Sequence, residues 1–368
     1  MSEWEQRKLG EICTFQRGHD LPKTKMIAGD YPVAGSNSII GYHNSYTTNG
    51  PSLTIGRSGN IGTPYFYENK FWAHNTVLYV KEFIGSVPKY LYYLLKTIDF
   101  SQYNAGSAVP TLNRNHIYEH IVSVPPLPEQ HAIAEVLSSL DDKIDLLHRN
   151  NKTLEEMAET LFRQWFLDTE FNSTINDVAE VLNGYAFKSS EFSSEGKNYV
   201  IKIKNIGGSS VNISDCDRIS DNTANKTNNK FKVLSGDVLF AMTGAELGKM
   251  GVVGSTTRSL WLNQRVGSIK DRFNGSRYLA YLALNSELGQ DFILNTASGS
   301  AQPNISGVDI SRCPFPSISL EQIEEKSEVL NNLFDKVIHN LGQISILKET
   351  RDTLLPKLMS GQVRVKTH

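Results

Sequence analysis

The chain repeats itself, and a repeat of this size constrains the fold before any secondary structure is assigned. Gly106-Ser107-Ala108-Val109-Pro110 returns as Gly299-Ser300-Ala301-Gln302-Pro303, Glu129-Gln130 as Glu321-Gln322, and Asp142-Lys143-Ile144 as Asp335-Lys336-Val337. Upstream, Tyr90-Leu91-Tyr92-Tyr93-Leu94 answers to Tyr278-Leu279-Ala280-Tyr281-Leu282, and Leu9-Gly10-Glu11-Ile12 with Gly18 to Ile175-Asn176-Asp177-Val178 with Gly184. The order is kept throughout. The offset grows from 166 residues at Gly18/Gly184 to 193 at Gly106/Gly299, so the second copy holds insertions in its middle. A chain of 368 residues gives each copy enough length to bury its own core, and two copies of one unit imply a pseudo-two-fold molecule.

Each copy opens with a mixed segment rich in Gly, Asn, Ser and aromatic residues and closes with a long amphipathic stretch. Ser52 to Ile55 and Asp237 to Phe240 read as strands followed by Gly-rich bends, and Val87 to Lys96 and Ser276 to Asn285 as short helices. Prolines 125, 126 and 128 in the first copy, and 314 and 316 in the second, mark where the mixed segments stop. After them, Ile133, Leu140, Leu147, Leu154 and Leu161 fall seven apart, interleaved with Leu137, Ile144, Asn151, Ala158 and Trp165. That spacing predicts a helix about 57 Å long at 1.5 Å per residue, with a narrow coiled-coil seam. Ser319-x-x-Gln322 is a capping box, and the seam behind it runs Ile323, Leu330, Val337 and Ile344 with Phe334 and Leu341, then drifts to Leu347, Leu354 and Leu358. Pro356 is expected to kink or end this second helix. Neither helix buries its seam alone. Two similar seams in one duplicated chain favour antiparallel pairing within the chain over a homodimeric coiled coil, and Asn151 either sets the register or lies at a solvated edge. The expected class is α+β: mixed α/β domains at 1–128 and 169–318, and long helices at 129–168 and 319–368, the last with a C-terminal tail.

Hydrophobic residues make up 39% and charged residues 21%, which excludes a disordered chain. No apolar run approaches the roughly 18 residues that span a bilayer, and Met1 to Gly10 is polar rather than a signal peptide, so a cytoplasmic location and no membrane partner are expected. Cys13, Cys216 and Cys313 are widely spaced and form no CxxC pair, as suits small side chains in a reducing compartment. The net charge of −2 is unevenly spread: Lys+Arg against Asp+Glu is 11 to 9 over 1–128 and 15 to 15 over 167–320, but 4 to 8 over 129–166. Any DNA binding would therefore need a basic partner to share the phosphate contacts.

Three stretches approach catalytic motifs and miss. His116-Ile117-Tyr118-Glu119-His120 matches H-x-x-E-H, but prolines follow closely and the repeat carries Asp309 and Cys313 at the two histidine positions, so no metal is expected. Gly244 to Lys249 is one residue short of a P-loop and has Met250 where a Mg-binding Ser or Thr belongs, and Gly56 to Gly62 lacks the lysine. Ser123-Val124-Pro125-Pro126-Leu127 lacks both the polar residue before and the aromatic after the two prolines that an adenine-methyltransferase loop needs. No catalytic residues are assigned.

The layout of variable domain, long helix, variable domain, long helix resembles the specificity subunit (HsdS) of type I restriction-modification systems. The likeness covers the whole chain and is carried by Trp4 to Ile12, Pro125 to Gln130, Leu161 to Phe166, and Leu354-Leu355-Pro356-Lys357-Leu358-Met359-Ser360-Gly361. The resemblance implies two target-recognition domains that read the halves of a bipartite, asymmetric double-stranded DNA target. It also implies helices that separate those domains and dock two methyltransferase subunits, with motor/nuclease subunits joining for restriction. Adenine methylation and cleavage would then belong to the partners, which would carry S-adenosylmethionine, ATP and Mg, with no cofactor on this chain.

Base reading needs donors and acceptors on rigid turns, while phosphate contact needs any donor. The candidates for DNA contact in the first domain are Arg17, Arg57, Asn60, His74, Asn75, Ser107, Asn113 and Arg114. The second domain offers Lys188, Lys202, Lys204, Thr243, Arg265, Ser300, Gln302 and Asn304. Asn75 and Asn263 are taken as matching positions of the repeat, after Trp72 and near Trp261. The competing reading is a protein-binding scaffold with two β-rich heads on a coiled-coil stalk and no nucleic acid. Partner-dependent binding to a DNA duplex separates the two.

Overall fold

The computed structural model describes residues 4–106, 108–298 and 303–366, which form two compact units. One comprises Met1–Asp142 with Lys348–His368, the other Lys143–Leu347, so each long helix contributes a segment to both units.

In the first unit the main sheet is antiparallel, in the order Cys13–Arg17, Val77–Phe83, Ser52–Gly56, Pro64–Tyr67. Its inward residues register as Phe15 with Val80 and Ile55 with Leu78, and all four are buried. Helix Pro88–Lys96 starts with proline, whose missing N–H costs nothing there, and lays Tyr90, Leu91 and Leu94 into the same core. A smaller sheet places Tyr31–Ala34 between Ile39–His43 and Trp72–Ala73, the last pair running parallel. The second unit repeats this plan with Ala179–Asn183, Val266–Asp271, Val238–Ala241 and Met250–Val252 in one sheet, and Asp217–Ile219, Asn198–Ile201 and Ser259–Leu262 in the other. The extra length of the second copy builds strands Ile206–Gly207, Ser209–Val211 and Lys232–Val233 and the helix Asp221–Lys226.

The first long helix runs Leu127–Trp165 and the second Leu320–Met359. At the first start the backbone N–H groups of Glu129 and Gln130 both donate to the Pro126 carbonyl, at 2.9 and 3.0 Å. The second start is the capping box expected: Ser319 N–H donates to Gln322 Oε1 at 3.0 Å, and Gln322 N–H to Ser319 Oγ at 3.2 Å. Pro356 does not end the second helix, which continues to Met359 and closes within the next turn as Gly361 takes φ +74°.

Both seams are buried by helix pairing inside the chain, antiparallel in each unit. In the first unit Ile133, Ala134 and Leu137 share a core with Leu354, Leu355, Leu358 and Met359. In the second unit Ile144 and Leu147 pack with Ile344, and Ala158 and Phe162 join Leu330 and Phe334. Near its end the first helix departs from the heptad: Phe162 and Phe166 are buried, while Leu161 and Trp165 are only half-buried. A straight helix drifts about 20° per heptad from a 3.5 repeat, and over this length that drift moves the stripe by one position. Asn151 is 5% exposed and accepts a hydrogen bond from Asn340 Nδ2 at 2.8 Å, so it belongs to the buried seam rather than a solvated edge.

Candidate nucleic-acid interface

Turns at one end of the main sheet are held by the same backbone hydrogen bonds in both units. Gly18 N–H donates to Val77 O (3.0 Å) as Gly184 does to Val266 O (3.1 Å), and His19 to Ala73 O (2.7 Å) as Tyr185 to Leu262 O (2.9 Å). His74 N–H reaches Ala34 O (3.0 Å) and Asn263 reaches Ile201 O (3.1 Å). Arg57 donates to Thr76 O (2.8 Å) and Met242 to Arg265 O (3.1 Å), while Gly59 and Gly244 each donate at 3.0 Å to a proline carbonyl, Pro110 and Pro303. Leu112 to Arg57 O (2.8 Å) and Ile305 to Met242 O (3.0 Å) close the set. Gly18 and Gly184 are glycines because a Cβ at either would sit 2.0 Å from the carbonyl oxygen of His74 or Asn263. These contacts correct one match made from sequence. His74 pairs with Asn263, and Asn75 with Gln264, because Trp72 and Trp261 are in register and every residue after them follows in step.

In the first unit the turns bring Arg17, Arg57, Asn60, His74 and Asn75 together. Arg17 ends the strand Cys13–Arg17, more than half exposed, 3.6 Å from the Asp20 carboxylate. Arg57 Nη1 donates to Asn75 O at 3.3 Å, and burial, then the charge of Arg17, lowers the Arg57 pKa below its ordinary value. Asn75 Nδ2 donates to the Asp20 carboxylate, and Asn60 Nδ2 to Ser36 O at 3.4 Å. His74 Nδ1 lies 3.0 Å from Thr76 Oγ1, and burial holds its imidazole pKa below the usual value, so the ring is neutral near pH 7. Two neighbouring guanidiniums, of which only Arg17 has a carboxylate beside it, suit phosphate, and neutral His and Asn side chains suit base edges.

Asn113 and Arg114 leave this cluster. Asn113 caps the short helix Arg114–Tyr118 by accepting from the Asn115 N–H at 3.0 Å. Arg114 donates to Phe15 O at 3.1 Å and lines a cavity of about 390 Å³ with Gln16, Lys81 and Asn115. His116 is exposed on that helix, but the helix ends at Tyr118, and His120 beyond it contacts the Tyr103 hydroxyl at 2.6 Å, so the two histidines share no helix face. Among the described residues no His, Cys, Asp and Glu side chains are grouped to hold a metal. Ser107, Ser300 and Gln302 lie outside the described residues.

In the second unit Thr243, Arg265 and Asn304 occupy the matched turns. Thr243 is buried and bridges to Asn304, Arg265 is exposed, and Asn304 exchanges backbone hydrogen bonds with Ser298 at 2.9 and 2.8 Å. Lys202 and Lys204 do not join them as free cations. Lys204 lies 3.2 Å from Asp215 and 3.8 Å from Asp217; Lys202 pairs with Asp217 and stands 4.1 Å over the Phe192 ring. Lys188 is exposed on a separate turn, its N–H donating to Glu191 Oε2 at 2.6 Å. Sequence reasoning missed Asp20 and Gln264, for which only the folded turns supply a signal. It also missed Ile39 and Ile40, 44% and 38% exposed on an edge strand whose preceding loop receives the Asn60 and Tyr65 side chains. Two adjacent isoleucines before a glycine break strand alternation, and that was their legible mark.

Among the described residues no helix is long and apolar enough to cross a membrane. Over 99% of its length the chain is 26% identical to the MjaIX type I restriction enzyme specificity subunit of Methanocaldococcus jannaschii, covering 94% of that protein. It is 21% identical to the HindI specificity subunit of Haemophilus influenzae over 75% of this chain and 78% of that one. In fold it is similar to the type I restriction-modification S subunit from M. genitalium, with a TM-score of 0.64 and 16% identity over 97% of this chain and 96% of the other. The family model for the type I restriction modification DNA specificity domain matches residues 1–156 and again 168–347. A chain built twice on one plan, with one set of turns framed identically in each copy, thus belongs to the type I restriction-modification DNA specificity family.

Proposed function

We propose that this chain is the non-catalytic reader of a bipartite, asymmetric double-stranded DNA target, each turn cluster contacting one half-site. The observation that carries this reading is a shared frame bearing different side chains. Where the first unit presents Arg57, Ser58, His74, Asn75, Thr76 and Thr111, the second presents Asn263, Gln264, Arg265 and Asn304 in the same hydrogen-bonded frame, with Met242 and Thr243 buried at the positions of Arg57 and Ser58. A fixed backbone with exchanged donors and acceptors is what reading two different base sequences requires. The near-neutral charge of the recognition segments supports dependence on partners: two methyltransferase subunits docked on the helices, and motor/nuclease subunits in the full complex. S-adenosylmethionine, ATP and Mg would be used by those subunits in the cytoplasm.

The test is a domain exchange read by genomic methylation. Replacing residues 13–120 with the corresponding segment of a relative is expected to change one half of the methylated sequence and leave the other half and the gap unchanged. A change in both halves, or a methylation pattern identical with and without the chain, would sink the proposal.

A further inference from the structure

From Asp142-Lys143-Ile144 and Asp335-Lys336-Val337 the two long helices align at an offset of 193 residues, one more than at their starts, where Glu129-Gln130 matches Glu321-Gln322. Many of their seam positions are interchangeable, such as Leu137 with Leu330 and Ile144 with Val337. Four are not. Asp141 corresponds to Phe334, Arg351 to Ala158, Asn151 to Ile344 and Asn340 to Leu147. In the first unit Arg351 Nη1 donates to Asp141 Oδ1 at 2.6 Å, with the two side chains only 20% and 23% exposed. The counterparts of this pair, Ala158 and Phe334, share the apolar core of the second unit. Packing confirms the match: Tyr93 donates to Asp141 at 2.7 Å, and its counterpart Tyr281 sets its ring edge-on to Phe334 at 5.8 Å. In the second unit Asn340 donates to the buried Asn151, and the counterparts of that pair, Leu147 and Ile344, pack together with Ile144. Each polar contact therefore has an apolar counterpart.

We propose that these two contacts make helix pairing heterotypic, so that the first long helix selects the second helix of its own chain over a copy of itself from another chain. If two first helices paired antiparallel in the same register, Asn151 would face Leu147 and Asp141 would face Ala158. Two second helices would set Asn340 against Ile344 and Arg351 against Phe334. Every one of these contacts buries an amide or a charge against hydrocarbon, where a lost partner costs the full desolvation of the group. Pairing within the chain gives each of these groups a polar partner, with only the Asn151 Nδ2 left without an acceptor. A single polar seam position is known to act this way in coiled coils.

Substitution by the repeat counterpart recreates each mispaired contact inside the full-length chain. Asn340→Leu and Arg351→Ala reproduce the contacts of two first helices, and Asn151→Ile and Asp141→Phe those of two second helices. Each single change is expected to lower the unfolding midpoint by on the order of 5 °C. The paired changes Asn151→Ile/Asn340→Leu and Asp141→Phe/Arg351→Ala are expected to recover most of that loss. A single variant that fails to fold while its paired variant folds is the same result. Partner choice is then read by refolding two differently tagged full-length chains together, one carrying Asn340→Leu/Arg351→Ala and the other Asn151→Ile/Asp141→Phe. Each is mismatched internally and matched to the other, so mixed-tag dimers are expected in excess of either chain refolded with itself. Singles as stable as the parent, pairs as unstable as the summed singles, or no excess of mixed-tag species would each overturn the proposal.

Discussion

Individual side chains in this protein divide into those that hold turns and those left to vary. Glu155 is one whose cost can be measured. It sits on the first long helix, and burial lifts its carboxyl above the ordinary carboxylate range, against a hydrogen bond from Ser209 Oγ at 3.0 Å and with a smaller push from Glu159. Because the folded-state pKa is raised, the folded protein holds a proton that the unfolded chain has released across the interval between the two values. Stability contributed by this site therefore falls as pH rises through that interval and stays low above it. Glu155→Gln keeps the acceptor for Ser209 and removes the charge, so it is expected to raise stability at pH 7 and to have little effect at about pH 3, where the parent is protonated too. Denaturant unfolding at both pH values checks the sign; a destabilising substitution at pH 7 would refute the assignment.

At the level of elements, the starts of the two long helices show one repeated dipeptide used in two ways. Gln322 is an exposed member of a capping box, whereas its counterpart Gln130 is 1% exposed. The Gln130 amide accepts from Val87 N–H at 2.9 Å and donates to Pro125 O at 3.0 Å and Gly85 O at 3.3 Å, tying the long helix to the turn before helix Pro88–Lys96. Its neighbour Glu129 accepts from Trp4 Nε1 at 3.1 Å and from Arg364, which also lies 5.5 Å over the Trp4 ring, so both ends of the described chain meet at this helix start. Gln130→Leu fills the same space but strands a buried N–H and two carbonyls. A loss of about 3 kcal/mol is expected in denaturant unfolding, against under about 1 kcal/mol for Gln322→Leu. Equal losses at the two positions would show that burial is not what distinguishes them.

For the whole molecule, the proposed function makes the helices a ruler for the gap between half-sites. A heptad inserted after Asp145 in the first helix, with another after Ser345 in the second, preserves the seam because these positions face each other in the antiparallel pair. Seven residues add about 10 Å at 1.5 Å per residue, roughly 3 base pairs at 3.4 Å each. The added pairs also turn one half-site by roughly 100° around the duplex, given about 10.5 pairs per turn. Methylation of the parental target is expected to fall, and whatever activity persists to move to a gap about 3 base pairs longer. Substrates whose gap is varied one pair at a time measure this, and an optimum unchanged at full activity would leave the helices as a docking surface only.

The duplication, the long helices with most of their seams, the short helix Ser276–Asn285 and the capping box at Ser319 were all legible in the linear chain. Each depends on residues within about two turns of one another, or on one segment compared with another, and periodicity records both. The turn cluster was legible only in part. Arg17, Arg57, His74 and Asn75 could be named as hydrogen-bonding residues near glycines, but Arg57 meets Asn75 through sheet register, and the pairing of His74 with Asn263 follows from strand contacts that sequence spacing misplaced by one residue. Lys202 and Lys204 read as free cations until folding set Asp215 and Asp217 beside them. Tertiary structure alone decided which polar seam residues were partners, because Asp141 and Arg351, like Asn151 and Asn340, stand about two hundred residues apart in the chain. A local pattern records what each residue prefers; what it faces across an antiparallel pair is set only when the helices are laid together, and here that decides whether a buried charge is satisfied or stranded.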